Sequence, residues 1–468
     1  MNATDKYNDY KQYIEANKEA FLTQWFDALR IPSVSAQREH KDDVRRLADW
    51  LVSFIREKLA MEARTIETAG APLVYAESPK IPGAPTVLIY GHYDVQPAEP
   101  FEEWVSPPFE PTIRDEKVYC RGANDDKGQS CAHLCGLQTY LAVNGSPFPL
   151  QIKFILEGEE EVGSDALSTF LEDAANRELL ACDAIVVSDT SAAGPGIPAI
   201  TYGLRGVVGF ELKATGPNRD LHSGIYGGSV YNPAIALAKI IDSMIDENGK
   251  IQIPGFYDDV AEISQLERDA LAGNPFDAEE NKAQIGIDAE FGEPEFTTLE
   301  RRGARPSFDV NGLTSGYQGE GGKTIIPSWA SMKFTFRTVP NQDPEKIREG
   351  LRAHLAKVAP PGIKLDLTCS QGSGGMLIPL DGPFIVAASD ALERVHGRRP
   401  LFVRDGGSIP IVAKLRQKLN AEAILVGFGL EDDGIHSPNE KFDLRAFFDG
   451  VQTSALLWDE FAKISLEK

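Results

Sequence analysis

Three short apolar runs, Thr86 to Tyr90, Leu150 to Leu156 and Ala184 to Val187, each end close to a cluster of His, Asp or Glu residues. The runs read as strands and the stretches between them as helices. That alternation builds a mostly parallel sheet with helices on both faces, because each parallel crossover lays a helix over the strands. Helical spacing at Phe21, Leu22, Trp25, Phe26 and Leu29, and again at Leu47, Trp50, Leu51, Phe54 and Ile55, adds two helices ahead of it. The polar clusters therefore fall at the carboxyl ends of strands, where an open α/β sheet presents its ligands.

The pattern changes after Tyr202. Val207 to Lys213 and Lys333 to Arg337 alternate as strands, Ile363 to Thr368 is a third strand, and Pro233 to Ile245 and Pro344 to Val358 are helical. A β-α-β-β-α-β order predicts a small ferredoxin-like α+β unit inserted into the first domain. A polar, acidic stretch from Gly249 to Arg305 interrupts it as short helices and loops. The helix–strand alternation resumes near Pro383, and Asp443 to Phe461 makes a closing helix. With 468 residues the chain exceeds one ordinary core. The expected division is residues 1–204 and 383–468 in one α/β domain, with 205–382 as the insert.

Composition narrows the partners. The 47 basic and 70 acidic side chains give a net charge of -23, which argues against a nucleic-acid or anionic-membrane partner. No apolar run approaches the ~20 residues of a membrane span, and the N-terminus lacks an apolar signal core. The five cysteines are odd in number and form no Cys-x-x-Cys pair. A cytoplasmic protein is expected.

The chemistry lies in scattered residues. His92 and Asp94 stand two apart just beyond a strand, so an extended backbone points both to one side. A ligating His commonly donates its second ring N–H to a carboxylate, and Asp94 is placed for that. Asp125-Asp126 follows a Gly-rich loop and precedes a helix, and taken alone the pair reads as that helix's cap. Four glutamates crowd the strand exit from Glu157 to Glu161; either the turn is solvated, or one Glu is a ligand and its neighbour a general base. Asp189 ends a strand, and His436 follows Gly434-Ile435 in a polar loop. Together, two imidazoles and several carboxylates suit zinc, manganese or cobalt and point to a two-metal hydrolase.

These segments, in this order, resemble the co-catalytic metallopeptidase family of cytosolic non-specific dipeptidases, carnosinases, aminoacylases and succinyl-diaminopimelate desuccinylases. Asp220-Leu221-His222-Ser223-Gly224, Lys323-Thr324-Ile325-Ile326-Pro327, Gly406-Gly407-Ser408-Ile409-Pro410 and the Gly249–Arg305 insertion resemble its dipeptidase branch. The resemblance implies that Asp125 bridges two divalent ions, zinc or manganese with cobalt also fitting. His92 and Asp189 would complete one site, and Glu161 and His436 the other. Glu160 would be the general base, and Asp94 would orient His92. His222 would stabilise the oxyanion from the partner subunit of a homodimer formed through the inserted lid domain. Arg337 would grip the substrate carboxylate, assisted by Thr324 and Ser408. Ser373 departs from the pattern, since carnosine-cleaving relatives carry His there. The implied activity is hydrolysis of dipeptides or similar small peptides with a free C-terminus. The alternative on the same scaffold is an N-acyl-amino-acid amidohydrolase.

Overall fold

The computed structural model describes residues 3–145, 148–407 and 409–465, and the chain divides into two compact units. Unit 1 comprises Met1–Tyr202, Ile378–Val403 and Lys414–Lys468, and unit 2 comprises Gly203–Leu377 and Arg404–Ala413. The expected boundaries differ from these by a few residues and leave Arg404–Ala413 outside the insert. Within unit 2, Arg404 pairs with Glu267, and the Arg205 guanidinium donates to the Gly406 carbonyl (3.1 Å). Partners so distant in sequence leave no local pattern.

Unit 1 is built on a sheet in the order Glu62–Ile66, Leu73–Glu77, Gln151–Glu157, Thr86–His92, Ala184–Val187, Glu422–Leu425, Ala199–Leu204. The four strands from Gln151–Glu157 to Glu422–Leu425 are parallel, and antiparallel strands flank them. The parallel strands are buried almost throughout, as covering both faces requires. Leu156 lines one small cavity together with Leu47 and Leu51 of helix Lys41–Leu59 and Leu134 of helix Lys127–Asn144. On the opposite face, Lys153 donates to the Leu179 and Ala181 carbonyls (2.7 and 2.8 Å) at the end of helix Ala174–Leu180.

The closing helix Leu444–Phe461 packs on Lys127–Asn144. Trp25, in the first helix Ala3–Leu29, stacks on Phe447 with ring centroids 4.4 Å apart. His133 is buried between the hydroxyls of Ser188 (2.7 Å) and Ser454 (3.1 Å). Strand register sets the functional edge: His92 pairs with Glu157, and Tyr90 with Val187. His92, Glu157 and Ser188-Asp189 therefore emerge at one level of the sheet.

Unit 2 carries an antiparallel sheet in the order Ser307–Ser315, Trp329–Thr338, Gly206–Thr215, Lys364–Ser373. Alternate residues of Gly206–Thr215 and Trp329–Thr338 are buried, the signature of a sheet packed on one face. Val208, Phe210, Phe334 and Phe336 share a core with Leu237, Ile240, Ile347 and Leu351 of helices Pro233–Met244 and Pro344–Val358. With helices after the first and third strands, the chain order is the β-α-β-β-α-β expected. The strand Ser307–Ser315 carried no clear sequence signal, being largely exposed and broken by a register shift between Val310 and Gly312. In the polar stretch, helices Gln265–Ala272 and Thr298–Ala304 both start with capping boxes, Ser264 with Glu267 and Thr297 with Glu300. No helix among the described residues is long and apolar enough to cross a membrane.

Candidate metal centre

Each carboxylate oxygen of Asp125 faces a different imidazole. Oδ1 lies 3.0 Å from His92 Nε2, and Oδ2 lies 3.0 Å from His436 Nε2. Asp189 Oδ1 is 3.9 Å from His92 Nε2, and Glu161 Oε2 is 3.3 Å from His436 Nε2. Two donor groups result, His92–Asp125–Asp189 and Asp125–Glu161–His436, each with its ligand atoms within 4.8 Å of one another.

Local structure places every member. His92 is the last residue of its strand, and its backbone N–H donates to Asp126 Oδ2 (3.1 Å). A side chain at Gly91 would run into Ser130 Oγ and Asp126 Oδ2, so that approach requires glycine. His92 Nδ1 lies 3.1 Å from the Asp94 carbonyl and 3.4 Å from Asp94 Oδ1. The Asp94 carboxylate also accepts the backbone N–H groups of Glu160 and Glu161, each at 3.2 Å. One buried side chain thus ties His92 to the turn carrying both glutamates. Gln96 Nε2 donates to Glu161 Oε2 (2.7 Å). His436 stands on a loop with left-handed φ values at Gly434 (66°) and at His436 itself (62°).

The donor set fits divalent metal. In the neutral His92 ring that a metal would bind, Nδ1 donates to Asp94 and the lone pair sits on Nε2; without metal, Asp125, Asp94 and Asp189 outweigh burial and hold the ring well above the usual imidazole range. That buried Nε2 makes no hydrogen bond of acceptable geometry, although Asp125 is close. Charge points the same way. Burial, then the neighbouring Asp125, pushes the Asp126 carboxyl up to about 8. Burial, then the adjacent carboxylates, pushes Glu160 up to about 7 against the pull of His92. Asp189 is raised well above the usual range by burial and by Asp125, Asp126 and Glu160. Asp125 goes down, because His436 and His92 outweigh its burial. His436 rises to about 10 through Asp125 and Glu161.

The loops' own cations are engaged elsewhere. Arg121 pairs with Glu440 (2.8 Å) and Lys441 with Asp433 (2.6 Å), while Lys127 donates to the Ile31 carbonyl (2.7 Å). Glu440 and Asp433 carried no sequence signal, since neither periodicity nor spacing reveals a buried acid in a polar loop. Glu157 likewise lies behind the centre, accepting from Tyr90 (2.8 Å) and Ser164 (3.0 Å).

The remaining candidates belong to unit 2. Leu221–His222 pairs with Ile325–Ile326 in a short ribbon, and Ser223 N–H donates to the Thr324 carbonyl (3.0 Å), so His222 and Thr324 are neighbours. Arg337 is half-buried on Trp329–Thr338, opposite Ser307 and Val207. Ser408 lies outside the described residues.

A doubly wound sheet that presents two His/carboxylate donor groups sharing one aspartate defines a metal-dependent hydrolase. Residues 88–460 match the peptidase family M20/M25/M40, and the chain belongs to this family. The Cys-Gly metallodipeptidase dug1 of Schizosaccharomyces pombe is 34% identical over 467 residues, covering 97% of this chain and 98% of that protein. The Beta-Ala-His dipeptidase of Homo sapiens is 31% identical over 477 residues, covering 97% and 92%. The crystal structure of human carnosine dipeptidase 1 matches with a TM-score of 0.85 at 29% identity, covering 98% of this chain and 99% of that one.

Asp126, Glu157 and Glu160, pushed up to about 8, 8 and 7, bind their protons more tightly in the folded chain than in the unfolded one. Their contribution to stability is therefore present at low pH and lost as the pH rises. His436, held near 10, acts in the same direction. The metal-free protein should accordingly show a falling melting temperature between about pH 6.5 and 8. Divalent metal, which binds the deprotonated carboxylates, should restore it. A flat profile for chelator-treated protein would contradict this charge balance.

Proposed function

We propose that this chain is a dipeptidase that hydrolyses small peptides with a free C-terminal carboxylate, using two divalent ions, zinc or manganese. The observation that carries the reading is Asp125, which offers one oxygen to each of two His/acid pairs. The Cys-Gly and Beta-Ala-His dipeptidase relatives support the substrate class. Ions held by His92, Asp125 and Asp189, and by Asp125, Glu161 and His436, would polarise the scissile carbonyl and acidify the attacking water.

The remaining work falls to the chain's own residues. Glu160, beside Glu161 and pinned through its N–H to Asp94, takes the proton of the attacking water and returns it to the departing amine. Asp94 holds the His92 ring. His222 Nδ1 accepts from Gly224 N–H (3.0 Å), which leaves the proton of the neutral ring on Nε2, the donor an oxyanion needs; losing such a donor costs about 2.7–4 kcal/mol. Arg337, with Thr324 and Ser408, binds the α-carboxylate. Arg205 supports this: burial, then the Arg337 charge, holds its guanidinium down at about 10, and an anion nearby relieves that repulsion.

His222 serves the partner subunit of a homodimer formed through unit 2. Apolar exposure on that unit favours such an interface, with Leu313 on the edge strand 62% and Trp329 on the neighbouring strand 41% exposed. A cytoplasmic setting suits the five cysteines, which are present as free thiols.

Metal-stripped protein resupplied with zinc or manganese should cleave Ala-Ala and leave N-acetyl-Ala untouched. Preference for N-acetyl substrates would move it to the N-acyl-amino-acid amidohydrolases. Glu160→Gln should lower turnover by at least about 100-fold while metal content stays near wild type; loss of both metals would remove Glu160 as the base. His222→Ala should keep its metal and lose most of its rate. Mixed dimers of His222→Ala and Glu160→Gln chains should regain activity, and verified mixed dimers without recovery would exclude sharing across the interface.

A further inference from the structure

Glu440 is fully buried, and the reaction proposed above gives it no part. Its carboxylate accepts four hydrogen bonds. Arg121 Nη1 and Gly122 N–H donate to Oε2, both at 2.8 Å, and Asn124 N–H (3.0 Å) and Asp125 N–H (3.1 Å) donate to Oε1. The loop that supplies the shared aspartate is therefore wrapped around one side chain. Glu440 closes the turn that opens at Gly434 and carries His436, so the same carboxylate ties the shared ligand to a ligand of one half of the centre. Asp433 strengthens the joint from the other end of that turn, accepting from Asn124 Nδ2 (2.9 Å) and Lys441 Nζ (2.6 Å).

The two halves are not anchored alike. His92 and Asp189 stand at the ends of buried strands, and Asp94 holds His92 as well. His436 is half-exposed on a left-handed loop, and its position relative to Asp125 depends on the Glu440 joint. A charged acceptor satisfying three backbone N–H groups and a guanidinium is a strong joint, and removing one of its oxygens orphans buried donors.

We propose that Glu440 is a positioning residue that locks the bridging Asp125 to the His436 loop and thereby sets metal affinity at the His436–Glu161 half of the centre. This rests on the two-metal reading above.

Mn2+ alone serves as the probe, followed by calorimetric titration and by electron paramagnetic resonance. Wild-type protein should bind two ions per chain and show the spectrum of an exchange-coupled pair. In Glu440→Gln the amide keeps one acceptor oxygen and turns an N–H group toward backbone donors. The first ion should then bind nearly as in wild type, the second should weaken by about 10- to 100-fold, and the spectrum should become that of isolated Mn2+. Glu440→Asp keeps the charge but not the reach, and should give a smaller loss of the same kind; it carries the test if the Gln variant does not fold. Two coupled ions at wild-type affinity in the variants would overturn the proposal. Equal weakening of both ions would overturn it too, since that marks a general loss of packing. Wild-type protein that binds fewer than two ions would overturn the two-metal reading itself.

Discussion

Repulsion among the carboxylates around Asp125 is the constraint to which the rest of unit 1 answers. Asp126, Asp189, Glu160 and Glu161 gather round one shared acid at a buried sheet edge. Two imidazoles do not balance them: Asp189 and Asp126 stay protonated far above the ordinary carboxylate range when no metal is present. A fold evolved for stability alone would place a lysine or arginine among such groups. Here Arg121, Lys127 and Lys441 lie on the same loops, yet each is satisfied by a neighbour behind the centre. Among the described residues the cations beside these oxygens are the two imidazoles, whose protons a divalent ion can displace.

The scaffold meets that constraint by separating the groups that bind from the groups that hold. His92 and Asp189 take their positions from strand ends whose register is set by the buried parallel sheet. Asp94, Glu440 and Asp433 are also carboxylates and fully buried, but their oxygens accept backbone and side-chain N–H groups. Acids used in this way fix geometry and are satisfied without metal. The centre therefore contains two populations of carboxylates, told apart by hydrogen bonding and not by residue type.

That distinction explains what the sequence reveals. The apolar runs at Thr86, Leu150 and Ala184 and the polar clusters beyond them expose the sheet, its carboxyl edge and the candidate ligands. Alternation at Val207 and Lys333 exposes the inserted unit. The supporting acids leave no such trace: Glu440 sits in a polar stretch whose sequence resembles a solvated loop, and its burial arises from a tertiary joint to residues 121–125. Ser307–Ser315 leaves no apolar pattern for a related reason, since an edge strand needs no apolar face. Local pattern records what packs on the sheet and misses what one loop does to another.

Specificity, on the proposed reading, belongs to one row of the unit 2 sheet. Arg337 and Ser373 both pair with Val207, from opposite sides, and Ser307 pairs with Arg337. Directly paired residues share a face, and this face is opposite the one packed on Phe336 and Val208. Arg337 and Ser373 are separated by two strand spacings, about 9–10 Å. An imidazole at 373 would place a polar ring on the far side of the row, too distant to duplicate the guanidinium's grip. The serine leaves anion recognition to Arg337, with Arg205 behind it donating toward Ser307 Oγ (3.4 Å), and opens space where the carnosine-cleaving pattern fills it. On that reading, a change of dipeptide preference can be confined to a single row of the unit 2 sheet.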